Sequence, residues 1–214
     1  MAKPQVRPIL QLEPKNNRQS QYYQQLKSSP MVFGIGPAGT GKTYIAAHYS
    51  ANKLYNDPDS TLVIIRPTVT VDDEDIGALP GGIGEKMAPF MKPVMYELGK
   101  IAGVERVRTW ERRIEFCPIA FVRGRTFENA IVHVSEAQNI TLSQATAIIT
   151  RLGENSTLII EGDPDQSDLR SNCLLELVNI AKRARIQHAA TYFQIDDIVR
   201  SRLAKAWVSA MARS

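Results

Sequence analysis

The sequence Gly36-Pro37-Ala38-Gly39-Thr40-Gly41-Lys42-Thr43 matches the pattern GxxxxGK[ST] at every fixed position. It directly follows an apolar run at 31–35 and opens a helix-like segment at 42–54. In this context glycines let backbone N–H groups curl around phosphate oxygens, and the helix N-terminus adds positive potential. Lys42 is expected to bridge β- and γ-phosphates, and the Thr43 hydroxyl to bind Mg²⁺. The whole stretch is therefore predicted to hold a nucleotide, the alternative being a chance glycine-rich turn.

Short apolar runs alternate with helix-like segments along the chain. The runs lie at 31–35, 61–65, 130–134 and 156–160, and the segments at 42–54, 89–101, 141–152 and 171–183. The runs are β-branched and continuously apolar, which is typical of strands buried on both faces of a parallel sheet. Thr141 and Gln144 have the spacing of a capping box. Repeated βαβ units predict an α/β fold, a three-layer αβα sandwich around a mostly parallel sheet.

Length and composition indicate a single domain. A chain of 214 residues that is 43% hydrophobic is long enough for one core and apolar enough to fold. Residues 1–18 contain three prolines and no periodic pattern, so they are predicted to be a loosely ordered lead-in. The domain is expected to span 19–214, with a short helix at 19–27 and a small insertion at about 103–122. Within it, 107–122 has the pattern of a hairpin or a small insertion.

Charge and cysteine content limit the environment and the partners. The net charge of +4 favours polyanionic partners without establishing them. Cys117 and Cys173 lie far apart and form no CxxC pair, which favours a reducing, cytoplasmic location without disulfides. No apolar run approaches the roughly 18 residues that span a bilayer. We therefore expect a cytoplasmic protein with no membrane partner.

A second polar tip follows the predicted strand at 130–134. Glu136 stands where a carboxylate can orient or deprotonate an attacking water, and Ser135 precedes it where an aspartate would be expected. Serine can contact a metal-bound water but carries no negative charge, so weaker support of Mg²⁺ is expected. The alternative is that Ser135 and Glu136 only cap the next helix.

A third polar tip follows the predicted strand at 156–160. Gln166 is placed to sense a γ-phosphate, because ligands of open α/β sheets collect beyond the carboxyl ends of strands. Asp163 is placed to hold the loop or to contact a metal-bound water. A Gly-Asp-Pro-Asp turn is also a common structural stop, which is the alternative here.

Together these segments resemble the PhoH-like P-loop ATPases, which are related to the core of superfamily 1 helicases. The resemblance covers about 19–208. The matching segments are FGI at 33–35, Arg66-Pro67, Ile76-Gly77, Leu79-Pro80-Gly81, Glu85-Lys86-Met87 with Pro89, PIAFVRGRT at 118–126, EAQN at 136–139, TRLG at 150–153, Gly162-Asp163 with Gln166, and Asp168-Leu169.

The resemblance implies a RecA-like core that uses ATP and Mg²⁺. By it, Gln19 and Tyr22 are an adenine-recognition motif, with a solvated polar helix as the alternative. Arg200 corresponds to a family arginine that touches the γ-phosphate, expected here to act on a neighbouring subunit's nucleotide, and Arg151 is an alternative in that role. A surface arginine is the other interpretation of Arg200.

The resemblance also implies partners. Arg66, Arg123 and Arg125 correspond to strand-end arginines that face nucleic acid or phosphate. Because a single core has only half of a helicase cleft, a homo-oligomer is expected, for which a hexameric ring is one form. Single-stranded RNA is the expected nucleic acid.

Trp110 is a further candidate for nucleic-acid binding. Four arginines surround it in the sequence, and cations beside an aromatic ring suit single-stranded nucleic acid. The alternative is a solvated hairpin with the Trp110 ring packed inward.

Two functional hypotheses follow. The first is an Mg²⁺-dependent ATPase that acts on RNA or is regulated by it. The second, motivated by Ser135, is a nucleotide-gated binding or assembly module with little hydrolysis. A second helicase domain is not expected, so strand separation by two cores in one chain is not expected either.

Overall fold

In the computed structural model, residues 8–67, 83–167 and 173–211 are described. The strands are β1 (Met31–Ile35), β2 (Thr61–Ile65), β3 (Ile114–Phe116), β4 (Ala130–Val134), β5 (Thr157–Gly162) and β6 (Ala189–Tyr192). The helices are α1 (Asn17–Ser28), α2 (Lys42–Asn56), α3 (Ile83–Ala102), α4 (Val104–Thr109), α5 (Leu142–Ile149), α6 (Cys173–Arg183) and α7 (Arg202–Met211).

All six strands pair in parallel, in the order β3-β2-β4-β5-β1-β6. Side chains that alternate along the strands enter two separate cores. One core packs against α5 and α6, and the other against α1, α2, α3 and α4. The predicted three-layer α/β sandwich with a parallel sheet is therefore confirmed.

The strand order explains where ligands are expected to bind. β1 lies between β5 and β6, and β5 lies between β1 and β4. The carboxyl ends of β1, β4 and β5, and the loops that follow them, therefore meet at one edge of the sheet. These three loops are the polar tips that the sequence singles out, the first being the phosphate loop after β1.

Several element boundaries differ from the predicted ones. α1 begins at Asn17 because the Asn16 side chain caps it by accepting from the Gln19 N–H at 2.9 Å. α3 begins at Ile83 rather than at Pro89. α5 begins after Thr141, which forms the predicted capping box with Gln144.

Residues 103–122 do not form a hairpin. They contain α4 and β3, and β3 pairs in parallel with β2, whereas a hairpin requires antiparallel pairing. Trp110 is only 5% exposed and belongs to the core beside α3, so its ring is not free to stack on a base. The structure therefore favours the alternative of a Trp110 ring packed inward, and the nucleic-acid role of this residue stays an untested prediction.

The arginines near Trp110 have structural partners. The Arg113 guanidinium donates to the carbonyls of Leu54 at 2.9 Å and Asp57 at 3.0 Å, which ties the insertion to the end of α2. Arg108 forms an ion pair with Glu105.

Three matching segments of the family resemblance, Ile76-Gly77, Leu79-Pro80-Gly81 and Asp168-Leu169, lie outside the described residues. Within the described part of the chain, no helix combines the length and apolar character needed to cross a bilayer.

Candidate nucleotide-binding site

The predicted phosphate loop joins the end of β1 to the start of α2. Gly39 and Gly41 have φ angles of +84° and +88°, in the left-handed region that favours glycine. Each also lies against a side chain. A Cβ atom at Gly39 would lie 2.8 Å from Arg200 Cδ, and one at Gly41 would lie 2.8 Å from Gln19 Nε2. Glycine at these two positions is therefore required both by the backbone conformation and by the close approach of the Arg200 and Gln19 side chains.

Lys42 curls over its own loop. Its Nζ donates to the carbonyl oxygens of Gly36 at 2.6 Å and Pro37 at 2.9 Å. Burial lowers the pKa of Lys42, and the nearby carboxylates of Glu161 and Asp163 oppose this shift. An ammonium held by two neutral carbonyls and surrounded by carboxylates is well placed to exchange those carbonyls for phosphate oxygens.

The loop opens into a cavity of about 1100 Å³ at the carboxyl edge of the sheet. Its walls contain the predicted catalytic residues other than Arg151, together with side chains from α1 and α3. Its polar lining residues include Gln19, Lys42, Thr43, Arg66, Glu136, Glu161, Asp163, Gln166 and Arg200. The three polar strand tips therefore face one volume large enough for a nucleotide.

Thr43 is held by a carboxylate that sequence reasoning did not select. The Thr43 hydroxyl donates to Glu161 Oε1 at 2.6 Å, and Glu161 is 2% exposed. His133 Nε2 lies 3.0 Å from the same oxygen. Burial alone would raise the pKa of Glu161, but His133, the Thr43 hydroxyl and Lys42 together hold it below its usual value.

Glu136 lies at the mouth of the site in a strained backbone conformation. Its φ of 55° is in the left-handed region, which is uncommon for residues other than glycine and concentrates at functional sites. Arg66 Nη2 donates to Glu136 Oε1 at 3.3 Å, and Gln138 Nε2 donates to Oε2 at 2.8 Å. The carboxylate is 42% exposed, so it is oriented by two donors and still accessible to a ligand.

Gln138 connects the second and third polar tips. Its Oε1 accepts from the Asp163 N–H at 3.1 Å, while its amide nitrogen donates to Glu136. Asp163 accepts from the Asp165 N–H at 3.2 Å, and this cap begins the short turn that carries Gln166. Gln166 is exposed and lines the cavity, at the position predicted for a γ-phosphate sensor.

Ser135 does not lie at the cavity surface, where a residue that contacts a bound magnesium ion or its water would be expected. It is 6% exposed and does not line the cavity. Its hydroxyl is buried without a hydrogen-bond partner among the described residues.

The predicted adenine-recognition pair is divided between two environments. Gln19 lies beside the loop, with Nε2 donating to the Thr40 carbonyl at 2.8 Å and Oε1 accepting from the Lys15 N–H at 2.7 Å. Tyr22 is 0% exposed, packs under Gly34 and meets Phe193 edge to face. Tyr22 is therefore a core residue because α1 turns that ring inward, and its predicted part in adenine recognition stays a prediction.

Arg200 lies over the phosphate loop of its own chain. Its side chain passes Gly39, and the neighbouring Val199 N–H donates to the Gly39 carbonyl at 3.0 Å. Arg200 also lines the same cavity as Lys42 of its own chain, and its expected action on a neighbouring subunit's nucleotide stays a prediction. Arg151 does not line this cavity, and its role remains a prediction.

The strand-end arginines do not form one surface. Arg66 belongs to the cavity and pairs with Glu136. Arg125 pairs with Glu115, which raises the pKa of the guanidinium, and stacks over Phe127. Arg123 is exposed. Their nucleic-acid role remains a prediction.

The carboxylate of Glu161 is the main functional group that the sequence did not single out. One signal was available, since a charged residue interrupts the apolar run of β5 one position before the Gly162-Asp163 turn. A buried charge at that point of an inner strand needs a partner.

The rim also contains Tyr44 and Tyr96, over whose rings Lys100 lies at 5.6 and 5.0 Å.

A loop of this kind at the end of β1 of a parallel sheet has the architecture of the P-loop nucleoside triphosphatases. The family model described as "PhoH-like protein" matches residues 11–212, and the chain belongs to this family.

Several relatives agree with this assignment. Protein PhoH of Escherichia coli (strain K12) is 41% identical over 159 residues, which cover 72% of this chain and 45% of that protein. The PhoH-like protein of Synechocystis sp. is 37% identical over 204 residues, covering 94% of this chain and 62% of the relative. The chain therefore spans about half the length of the curated relatives it matches.

A solved structure supports the fold alone. The large terminase of a thermophilic bacteriophage superposes with a TM-score of 0.57 at 11% identity, covering 92% of this chain and 49% of the terminase chain.

Proposed function

We propose that this chain binds ATP together with Mg²⁺ and hydrolyses it. The observation that carries the proposal is the shared cavity, which brings Lys42 and Thr43 of the phosphate loop together with Glu136, Gln166 and Arg200. A loop alone indicates binding, whereas an oriented carboxylate facing the same volume is what hydrolysis additionally needs.

The residues present fit a magnesium ion. Mg²⁺ prefers oxygen ligands and is usually held by one or two protein groups together with the substrate phosphates. Here the Thr43 hydroxyl and the Glu161 carboxylate already form an oxygen pair beside Lys42. The bound ion would neutralise charge on the β- and γ-phosphates.

The chain's own residues have distinct roles in the proposed reaction. Lys42 releases its loop carbonyls and binds phosphate oxygens. Glu136, held by Arg66 and Gln138, orients the attacking water and accepts its proton. Gln166 contacts the γ-phosphate, and Arg200 stabilises negative charge from its position beside Gly39.

Glu136→Gln tests the catalytic assignment. The amide keeps the shape of the side chain but accepts a proton poorly, so turnover is expected to fall by about 10²–10⁴-fold. ATP binding, measured by calorimetry or with a fluorescent analogue, is expected to persist. Unchanged ATP turnover in purified Glu136→Gln would remove Glu136 from the mechanism.

A second candidate function is a nucleotide-gated binding or assembly module with little hydrolysis. Ser135 supports it, since the residue before Glu136 brings no charge. Turnover of Ser135→Asp beside the parent chain separates the two functions. A many-fold gain over a barely active parent favours the module, and comparable rates favour the enzyme.

We also propose single-stranded RNA as a partner and a homo-oligomer as the assembled form. The net charge of +4 and the exposed Arg123 support a polyanionic partner. Leu203 and Trp207 of α7 are 71% and 61% exposed, and such apolar exposure supports self-association. ATP turnover with and without RNA, on material whose solution mass is known, tests both proposals.

A further inference from the structure

The carboxyl end of β4 lacks a negative charge where a metal-supporting carboxylate is expected. Ser135 occupies that position, and it is buried outside the cavity lining. Thr43, the expected metal ligand, bonds to Glu161 of β5.

The register places these two positions side by side. Val134, the last residue of β4, pairs with Ile160 of β5, so Ser135 directly after β4 and Glu161 of β5 are the next residues in this register. Paired residues of parallel strands point to the same face of a sheet. Val134 and Ile160 share the core beneath α5 and α6, so the following pair points to the opposite face, where α2 begins.

Glu161 is costly to bury, and within the described part of the chain only one of its two carboxylate oxygens has hydrogen-bonding neighbours. It is 2% exposed, and an ionised carboxylate at such a site destabilises a fold unless it is paired. Oε1 has two close neighbours, the Thr43 hydroxyl at 2.6 Å and His133 Nε2 at 3.0 Å. Oε2 has no hydrogen-bond partner among the described residues, although Glu161 lines the cavity.

From this arrangement we infer that Glu161, one strand away from the expected position, supplies the carboxylate that supports the divalent cation of the bound nucleotide. It is a positioning residue that acts through Thr43. Because the Thr43 hydroxyl donates its proton to Glu161, its oxygen lone pairs remain available to a cation. The inference rests on the proposed nucleotide-binding function and explains how the chain functions with Ser135.

The carboxylates of Glu136 and Asp163, which also line the cavity, already have different partners. Glu136 is held by Arg66 and Gln138, and Asp163 caps the turn that leads to Gln166. Among the described acidic residues, Glu161 is the one whose recorded contact reaches the phosphate loop directly.

The test measures how strongly Mg²⁺ and nucleotide binding are coupled. The dissociation constant of a fluorescent ATP analogue is measured in EDTA and in Mg²⁺, and the ratio of the two values is the coupling. Glu161→Gln is expected to lower this ratio about tenfold or more, which is the usual cost of losing a group that orients a metal ligand. Affinity in EDTA is expected to be unchanged or tighter, because a negative charge near the phosphates is removed.

The readout separates a positioning role from a structural one. A purely structural defect weakens analogue binding in EDTA and in Mg²⁺ alike, and that outcome would overturn the inference. Glu105→Gln is the matched control, since it makes the same charge change on an exposed carboxylate of α4. An unchanged ratio in Glu161→Gln would also overturn the inference.

Two further variants keep the test decisive if Glu161→Gln does not fold. Ser135→Asp alone should bring no gain in coupling or turnover, because Glu161 already supplies the carboxylate. The double variant Ser135→Asp/Glu161→Thr should retain the coupling, since it returns the carboxylate to β4. A many-fold gain from Ser135→Asp alone would contradict the inference while leaving the proposed ATP binding intact. A parent chain that binds no analogue in EDTA or in Mg²⁺ would contradict both the inference about Glu161 and the proposed ATP binding.

Discussion

Glu161 combines full burial with a lowered pKa, which makes the stability of the protein depend on pH. Burial raises the pKa, but His133, Thr43 and Lys42 outweigh that effect. A carboxyl whose pKa is lower in the folded than in the unfolded state binds fewer protons when folded, so it stabilises the fold above its unfolded value of 4.5. This contribution is lost as the pH falls through the folded pKa.

We therefore expect the parent chain to lose its stability advantage over Glu161→Gln as the pH drops below about 4.5. Melting temperatures from pH 7 to pH 3.5, in nucleotide-free and metal-free buffer, check this expectation. Glu105→Gln should follow the parent throughout, because its carboxylate is exposed. Melting curves of the parent and Glu161→Gln that shift in parallel with pH would contradict a lowered pKa.

At the residue scale, spacing in the sequence predicted the groups that follow directly from a motif. Lys42, Thr43, Glu136 and Gln166 all reach the cavity, since each lies at a strand end that the sheet brings to one edge. The direction of Tyr22 and Trp110 could not be predicted in the same way. Both rings are amphipathic enough for either environment, and only the packing of α1 and α4 decides which one they enter.

At the scale of elements, α1 acts as a brace for the phosphate loop. Tyr22 and Leu26 anchor the helix in the core, and Gln19 donates to the Thr40 carbonyl from the first turn. This bond joins the start of the domain to the loop that holds the phosphates. The loop geometry therefore depends on a residue outside the loop motif.

Gln19→Ala is expected to weaken ATP binding about fivefold, the effect of losing roughly 1 kcal/mol of net hydrogen bonding. Gln24→Ala is the matched control, because Gln24 is exposed on the same helix. Calorimetric titration of both variants with Mg-ATP measures the difference. Equal affinities of the two variants would show that α1 does not brace the loop.

Two strands escaped prediction for identifiable reasons. β3 and β6 form the two edges of the sheet and contain only IEF and AATY, which lack the long apolar runs of the inner strands. The four inner strands were found because burial on both faces demands continuous apolar sequence. The elements of the insertion at 103–122 were harder to predict, because α4 and β3 are too short to show a periodic hydrophobic pattern.

At the scale of the whole molecule, the position of Arg200 changes how an assembly would work. Its side chain crosses Gly39 of the same chain, so one subunit contains its own arginine at the phosphate loop. If Arg200 acts on the nucleotide of its own chain, association is not needed to complete the site with this residue. A homo-oligomer remains a proposal that rests on the exposed apolar side of α7.

Mixing two inactive variants distinguishes action in cis from action in trans. Lys42→Ala retains Arg200 but should not hold nucleotide, and Arg200→Ala should hold nucleotide without its arginine. If Arg200 acts in cis, an equimolar mixture shows only the sum of the residual rates. Turnover well above that sum would place the arginine in a neighbour's site.

The most direct test of the account is ATP turnover by the purified chain with Mg²⁺ and with EDTA, beside Lys42→Ala. We predict hydrolysis by the parent chain that requires Mg²⁺ and disappears in the variant, because Lys42 is the cation that binds the phosphates. Turnover that is independent of Mg²⁺, or equal in parent and Lys42→Ala, would contradict the proposal that this cavity hydrolyses ATP.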